Sequence, residues 1–256
     1  MTTTVAPRQS VASNTPNAMT YDPTSLALVC ANAMLGTYVS SIERISPQRF
    51  QIRSTWFDDT DWNFELPPPG EGHAVADDLD CWVCTAPRRI ATTRRRGHDA
   101  ERWMGLSIPE RMETLEPAPS HPVEYEQTVT AEWCDTFISG FALNPDDAHA
   151  YRNRLLQATP SSAVTVAHLL VRHHDVAASI ASIHVIDNVA FVSNVTTVEA
   201  HRGHGHARTL LGAAVQFAAA AGAEQLWLQC ELRSRAETLY RRFGFNHCFT
   251  AARVSK

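Results

Sequence analysis

The sequence lacks any stretch long and apolar enough to cross a bilayer as a helix. Its longest apolar run, Leu26 to Leu35, is broken by Asn32 and falls short of the roughly 20 residues required. It also lacks the apolar core of a secretory signal. The opening MTTTVAPRQSVASNTPNAMT is rich in Thr, Ser, Ala and Asn, and residues 1–22 read as a disordered leader. Charge is close to balanced, with 22 Lys+Arg against 27 Asp+Glu, so bulk charge does not point to a polyanion as the main partner. Cysteine is scarce and irregularly spaced, which excludes a disulfide-stapled scaffold and fits a reduced, cytoplasmic protein with no membrane partner. No internal repeat of solenoid or propeller length is visible. The remaining class is a globular chain with room for one large domain or two small ones.

Two proline-dense interruptions punctuate it, PPPGEG at 67–72 and EPAPSHP at 116–122. The second sets a boundary near residue 120, dividing an accessory domain over 23–119 from a second domain over 120–256. In the first, SLALVCANAMLGTYVSSI (25–42) predicts a helix, followed by strands around 50–56 and 79–85. In the second the signals are sharper. Helices are predicted over 130–143 and 146–157, the latter opened by Asn144-Pro145. Three Val/Ile/Ala-rich strands at 163–172, 176–185 and 190–198, separated by breaks of hairpin length, predict an antiparallel meander. A helix with Leu210, Leu211, Ala214, Val215 and Ala218 on one face ends at Gly222. A strand at 225–231, a helix at 234–243 between Ser234 and Gly244, and a strand at 245–254 complete an ααβββαβαβ unit of the α+β class.

The segment EAHRGHGHARTLL (199–211) joins the meander to the long helix. Glycines at 203 and 205 and alanine at 207 let backbone N–H groups approach a ligand. A helix N-terminus adds unsatisfied donors and partial positive charge, and Arg202 a full charge, so the segment suits a phosphate or pyrophosphate. On the loop alone, a ligand-free strand-to-helix turn reads equally well.

The pattern Arg202-x-x-Gly205-x-Ala207 between strand and helix, followed by LYRRFGF (239–245), resembles the GCN5-related N-acetyltransferase (GNAT) superfamily over about residues 122–256. The resemblance implies an acyl-CoA transferase fold with a mixed, largely antiparallel sheet and flanking helices. It suggests that the smaller α/β accessory domain before it is a degenerate half of the same kind. It implies acetyl-CoA as acyl donor, with Arg202, Gly203, His204, Gly205, His206, Ala207 and Arg208 at the pyrophosphate, and Val195, Thr196 and Thr197 pairing with the pantetheine arm. A free N–H near Val195 or Thr196 is the implied oxyanion donor, and Tyr240 the general acid toward the CoA sulfur. Two positions depart from the family pattern. Leu228 stands where some members carry a glutamate base, and Arg233 replaces a frequent asparagine. Glu231, Glu199, His184 and His201 remain as base candidates, beside an amine that arrives deprotonated through water. The expected activity is acetyl-CoA-dependent transfer to a primary amine, directly within a ternary complex. The competing reading is a non-catalytic acyl-CoA-binding sensor.

Four other signals carry less. His201, His204 and His206, with His173 and His174 upstream, invite a metal, but the glycines are expected to leave His204 and His206 facing solvent, and no metal is expected. Cys81 and Cys84 lie three apart in a strand and point to opposite faces. The arginines between 88 and 96 read as a solvated loop, and nucleic acid is not expected as a partner. WFDDTDWNFEL (56–66) mixes carboxylates with aromatics, which suits either a cationic amine or a surface turn.

Overall fold

Caps and turns fix most element boundaries in the C-terminal half. In a computed structural model of the chain, residues 23–47, 49–56, 63–66, 80–85, 100–115 and 121–254 are described. The leader, PPPGEG and the arginine run lie outside them. Strand β6 (Val123–Glu126) is followed by helices α3 (Ala131–Phe141) and α4 (Pro145–Leu156). Thr130 caps α3 by accepting from Trp133 N–H, and Asn144 caps α4 by accepting from the Asp146 and Asp147 amides. The meander follows as β7 (Thr165–His173), β8 (Val176–Ile186) and β9 (Val189–Thr197). His174 and Asp175 both have positive φ, 49° and 65°, as the two central residues of a tight hairpin require. Helix α5 (His206–Ala220), strand β10 (Gln225–Glu231), helix α6 (Arg235–Phe243) and strand β11 (Asn246–Val254) complete this half. Ser234 accepts from Glu237 N–H, and Gly244 ends α6 at φ 115°.

The N-terminal half comprises α1 (Pro23–Ala33), β1 (Ser41–Ser46), β2 (Arg49–Arg53), β3 (Phe64–Leu66), β4 (Asp80–Thr85), β5 (Ala100–Ser107) and α2 (Ile108–Thr114). The helix expected over 25–42 stops at Ala33. Gly36 takes φ 85°, and a side chain there would run into the carbonyl of Thr159, so the chain turns instead of continuing the helix. Arg154 of α4 donates to the carbonyls of Gly36 and Thr37, fastening this turn to the C-terminal half.

Among the described residues eleven strands form one sheet, ordered β1-β2-β3-β4-β11-β5-β10-β9-β8-β7-β6. β5, which the sequence pattern did not suggest, lies antiparallel between β10 and β11, with Leu228 opposite Met104 and Thr250 opposite Arg102. The division expected near residue 120 therefore falls between strands of a shared sheet. Alternation along the strands feeds two cores. Leu170 and Ile180 face α1 and α3, with Trp133 and Phe191, whereas Leu169, Ala181 and Ile183 face α5, with Leu210, Leu211, Ala214 and Val215.

Candidate active site

Strands β9 and β10 pair in parallel only from Val189–Gln225 to Phe191–Trp227, then part. Among the described residues, the β10-facing edge of residues 192–197 has no strand partner. The departure coincides with a bulge. Ser193 lies opposite Ser182 and Thr196 opposite Ile180, so β9 carries one extra residue, and Asn194 takes φ 58°, a conformation asparagine tolerates better than most side chains. Asn194 Nδ2 donates to Tyr38 Oη at 2.6 Å, and Ser182 Oγ lies 2.8 Å from His168 Nδ1. A buried tyrosine of the N-terminal half thus holds the bulge in place.

At the parting lies a cavity of about 330 Å³ whose wall is chiefly aromatic: Tyr38, Trp103, Phe137, Phe141, Tyr151 and Phe191. Ser193, Asn194 and Gln229 supply polar atoms, and among the described lining residues there is no carboxylate. Helix α3 closes one side by approaching β9 so tightly that Thr196 packs where a Gly140 side chain would be. Of the three residues expected to meet pantetheine, Thr196 is buried, with its carbonyl accepting from Ser179 Oγ at 2.7 Å; Val195 and Thr197 are half-buried.

The glycine loop follows a 3-10 turn at Glu199–His201. Gly203 and Gly205 take φ 86° and 81°, and Gly205 is the N-cap of α5 without any side-chain cap. No described backbone carbonyl accepts from the amides of residues 203–207. Uncapped amides at the head of a 15-residue helix with no acidic residue in its first turn leave donors and partial positive charge of the kind an anion can meet. Arg202 has a second task beyond its charge: Nε donates to Thr197 O at 3.2 Å and Nη2 to Gly140 O at 3.4 Å, tying loop, β9 and α3 together.

His204 is exposed as expected, but His206 is only 1% exposed, which corrects the expectation that both face solvent. As the first residue of α5 its side chain turns inward, and burial, reinforced by neighbouring imidazoles, holds its pKa down to about 4. His173 gathers His174, His201, His204 and His206 at ring distances of 4.4–5.2 Å, and His121 joins His206 at 4.5 Å. Among the described residues no three His, Cys, Asp or Glu side chains are arranged to hold a metal ion.

Tyr240 is buried in one cluster with Leu228 and Cys230, and burial followed by the Cys230 charge raises its pKa. It does not line the cavity. Of the base candidates, Glu199 and Glu231 are exposed and His201 belongs to the histidine group. His184 is fully buried with its pKa pushed down to about 3 by burial, and its Nε2 lies 3.4 Å from Ser193 Oγ. Glu101 is a carboxyl the sequence pattern did not single out. Its Oε2 is shielded from water without a hydrogen-bond partner, and burial pushes its pKa up to about 7. Burial also raises the cavity-lining Cys30 thiol to about 12, so it stands protonated.

Residues 126–245 match the family model described as the acetyltransferase (GNAT) family. No curated protein matches by sequence. Among solved structures, a GCN5-related N-acetyltransferase from Kribbella flavida is 17% identical with a TM-score of 0.56, covering 89% of this chain and 94% of that one. A tandem GNAT protein from the clavulanic acid biosynthesis pathway is 9% identical with a TM-score of 0.53, covering 88% of each chain. A functionally unknown conserved protein from Staphylococcus epidermidis is 8% identical with a TM-score of 0.59, covering 83% and 93%. The fold, including its N-terminal half, is one these proteins share.

Proposed function

Because residues 126–245 match the acetyltransferase (GNAT) family model, we propose that this chain transfers an acetyl group from acetyl-CoA directly to a primary amine carried on a small apolar body. The observation that supports this reading best is the continuity of three features: an unpartnered β9 edge, uncapped loop amides beyond it, and an aromatic cavity at the fork. The pyrophosphate rests on the amides of Gly203 to Arg208, with Arg202 adding charge at low reorganisation cost. The pantetheine arm adds to the open edge at Val195, Thr196 and Thr197, in the manner of an added strand. This directs the thioester toward the fork, where an amide near Val195 or Thr196 receives the developing oxyanion.

The acceptor occupies the cavity. Aromatic faces favour an amine bearing apolar groups, and attract its ammonium form through their quadrupoles. The amine lone pair attacks the carbonyl carbon, the tetrahedral oxyanion collapses, and the C–S bond breaks. Tyr240, whose phenol burial keeps protonated, then gives its proton to the departing thiolate, the role that its place in LYRRFGF implies. Among the described residues Cys30 is the cavity-lining thiol, and burial keeps it protonated, which supports direct transfer over a covalent relay. The N-terminal half acts as an accessory half-domain whose Tyr38 and Trp103 complete the acceptor wall.

Isothermal titration with acetyl-CoA tests the cradle. Micromolar binding is expected, and Gly205→Glu should abolish it by setting a carboxylate among the pyrophosphate donors. Wild-type protein that binds no acetyl-CoA would refute the reading.

A further inference from the structure

We propose that Glu101, on a strand contributed by the N-terminal half, is the general base that takes a proton from the acceptor amine; this assignment rests on the acetyltransferase reading above. The position follows from register. Residues two apart on a strand face the same side, so Glu101 shares the sheet face of Trp103, whose ring lines the cavity. Trp103 lies opposite Gln229, another lining residue, and Glu101 is one step further along, opposite Glu231. The step spans about 7 Å between Cα atoms, roughly the reach of a glutamate side chain plus one hydrogen bond. Helix α1 covers this face and places the lining residue Cys30 within the electrostatic reach of Glu101.

Among the described residues, Oε2 of this carboxyl has no hydrogen-bond partner. Arg102 next to it points to the opposite face, where its guanidinium meets Glu237 and His247. The titratable groups around Glu101 are Cys30 on α1 and Cys230 and Glu231 on β10, and the β11 residue paired with it is Ala251. None is a cation. A buried carboxyl oxygen with no donor is costly to the fold, and such groups are retained where something that binds transiently supplies the donor. An acceptor ammonium in the adjoining cavity is that donor.

The proton balance is complete. Glu101 carboxylate accepts one proton from the ammonium, leaving a neutral amine. The nitrogen lone pair forms the C–N bond and the carbonyl π pair moves to oxygen. When the carbonyl re-forms, the C–S pair leaves with sulfur, which takes the Tyr240 proton. The second nitrogen proton and the proton held by Glu101 pass to solvent, which restores the carboxylate, and the phenol is reprotonated from solvent. Burial suits Glu101 to the task, since a carboxyl titrating about 7 is ionised enough to accept a proton at neutral pH and basic enough to hold it.

The test measures thiol release from acetyl-CoA with phenethylamine, tryptamine and spermidine as acceptors, from pH 5.5 to 9, for wild type, Glu101→Gln and Glu101→Asp. Acetyl-CoA affinity is measured in parallel by calorimetry. We expect wild-type kcat/KM to fall below an acidic limb near pH 7. In Glu101→Gln it should drop by about 100-fold or more with the limb gone, while acetyl-CoA affinity is unchanged. Glu101→Asp should keep the limb at a reduced rate. A Glu101→Gln protein within threefold of wild type, or one that retains the limb, overturns the base assignment alone. Loss of acetyl-CoA binding in Glu101→Gln also overturns it, assigning the residue to the donor side. Wild type that binds acetyl-CoA but acetylates none of the amines overturns the acetyltransferase reading, and the base with it.

Discussion

Gly140→Ala probes the contact that holds α3 against the parted strand. A Cβ at 140 would lie 2.5 Å from Thr196 Oγ1, 2.6 Å from its Cγ2 and 3.1 Å from its Cβ. Restoring ordinary contact requires α3 to retreat from β9 by about 1 Å, since non-bonded carbons prefer about 3.5–4.0 Å. Overpacking of this kind costs about 1–3 kcal/mol. Alanine recovers at most about 1 kcal/mol of helix propensity, and less here because Gly140 is the penultimate residue of α3. The net expectation is a loss of about 1–2 kcal/mol in urea unfolding. It should be accompanied by weaker acetyl-CoA binding, because the retreat also stretches the Arg202 bond to the Gly140 carbonyl. Thr196→Ala removes the two closest atoms. In that background Gly140→Ala should be neutral or stabilising, giving a coupling of about 1–2 kcal/mol in the double-mutant cycle. A neutral Gly140→Ala in the wild-type background, or two additive effects, would refute the close-packing argument.

Tyr240→Phe should lower kcat while leaving acetyl-CoA affinity within twofold; equal loss of both in parallel titrations would show a packing role, and unchanged turnover would remove the general-acid role. The pH dependence of stability should carry the Glu101 signature. Its folded pKa is raised from 4.5 to about 7, so its stabilising contribution is full below pH 4.5 and lost as pH rises through 7. Glu101→Gln should therefore melt with wild type near pH 4.5 and gain on it up to about 3 kcal/mol by pH 8. A melting-temperature difference that does not change with pH would count against a buried, unpaired carboxyl.

What could be read locally was read well. The caps Thr130, Asn144 and Ser234 and the stop at Gly244 act within one helical turn, so α3, α4 and α6 are legible in the chain order. β5 was not legible because its pattern depends on distant partners. Its Arg102 is paired by Glu237 from α6 and His247 from β11, and its Gly105 leaves room for the Trp227 ring. AERWMGLS carries charge on both faces and a glycine inside, a poor strand until those partners are known. The loop glycines were visible, but the inward turn of His206 depends on where α5 begins, to the residue. The resemblance gave no counterpart for Leu228 as a base, and a carboxyl from the other half of the chain leaves no signal in local spacing.

The insertion of β5 between β10 and β11 also orders events during synthesis. Residues 100–107 leave the ribosome more than 100 residues before their pairing partners exist. β10 reaches β5 first, and the gap between β5 and β4 stays open until Asn246–Val254 has been made, so the sheet closes only when β11 joins. A fragment beginning at residue 120 would expose both inner edges of the gap, inviting pairing with another chain. The residues that line the cavity are all made by Gln229, whereas the sheet closes only when β11 joins.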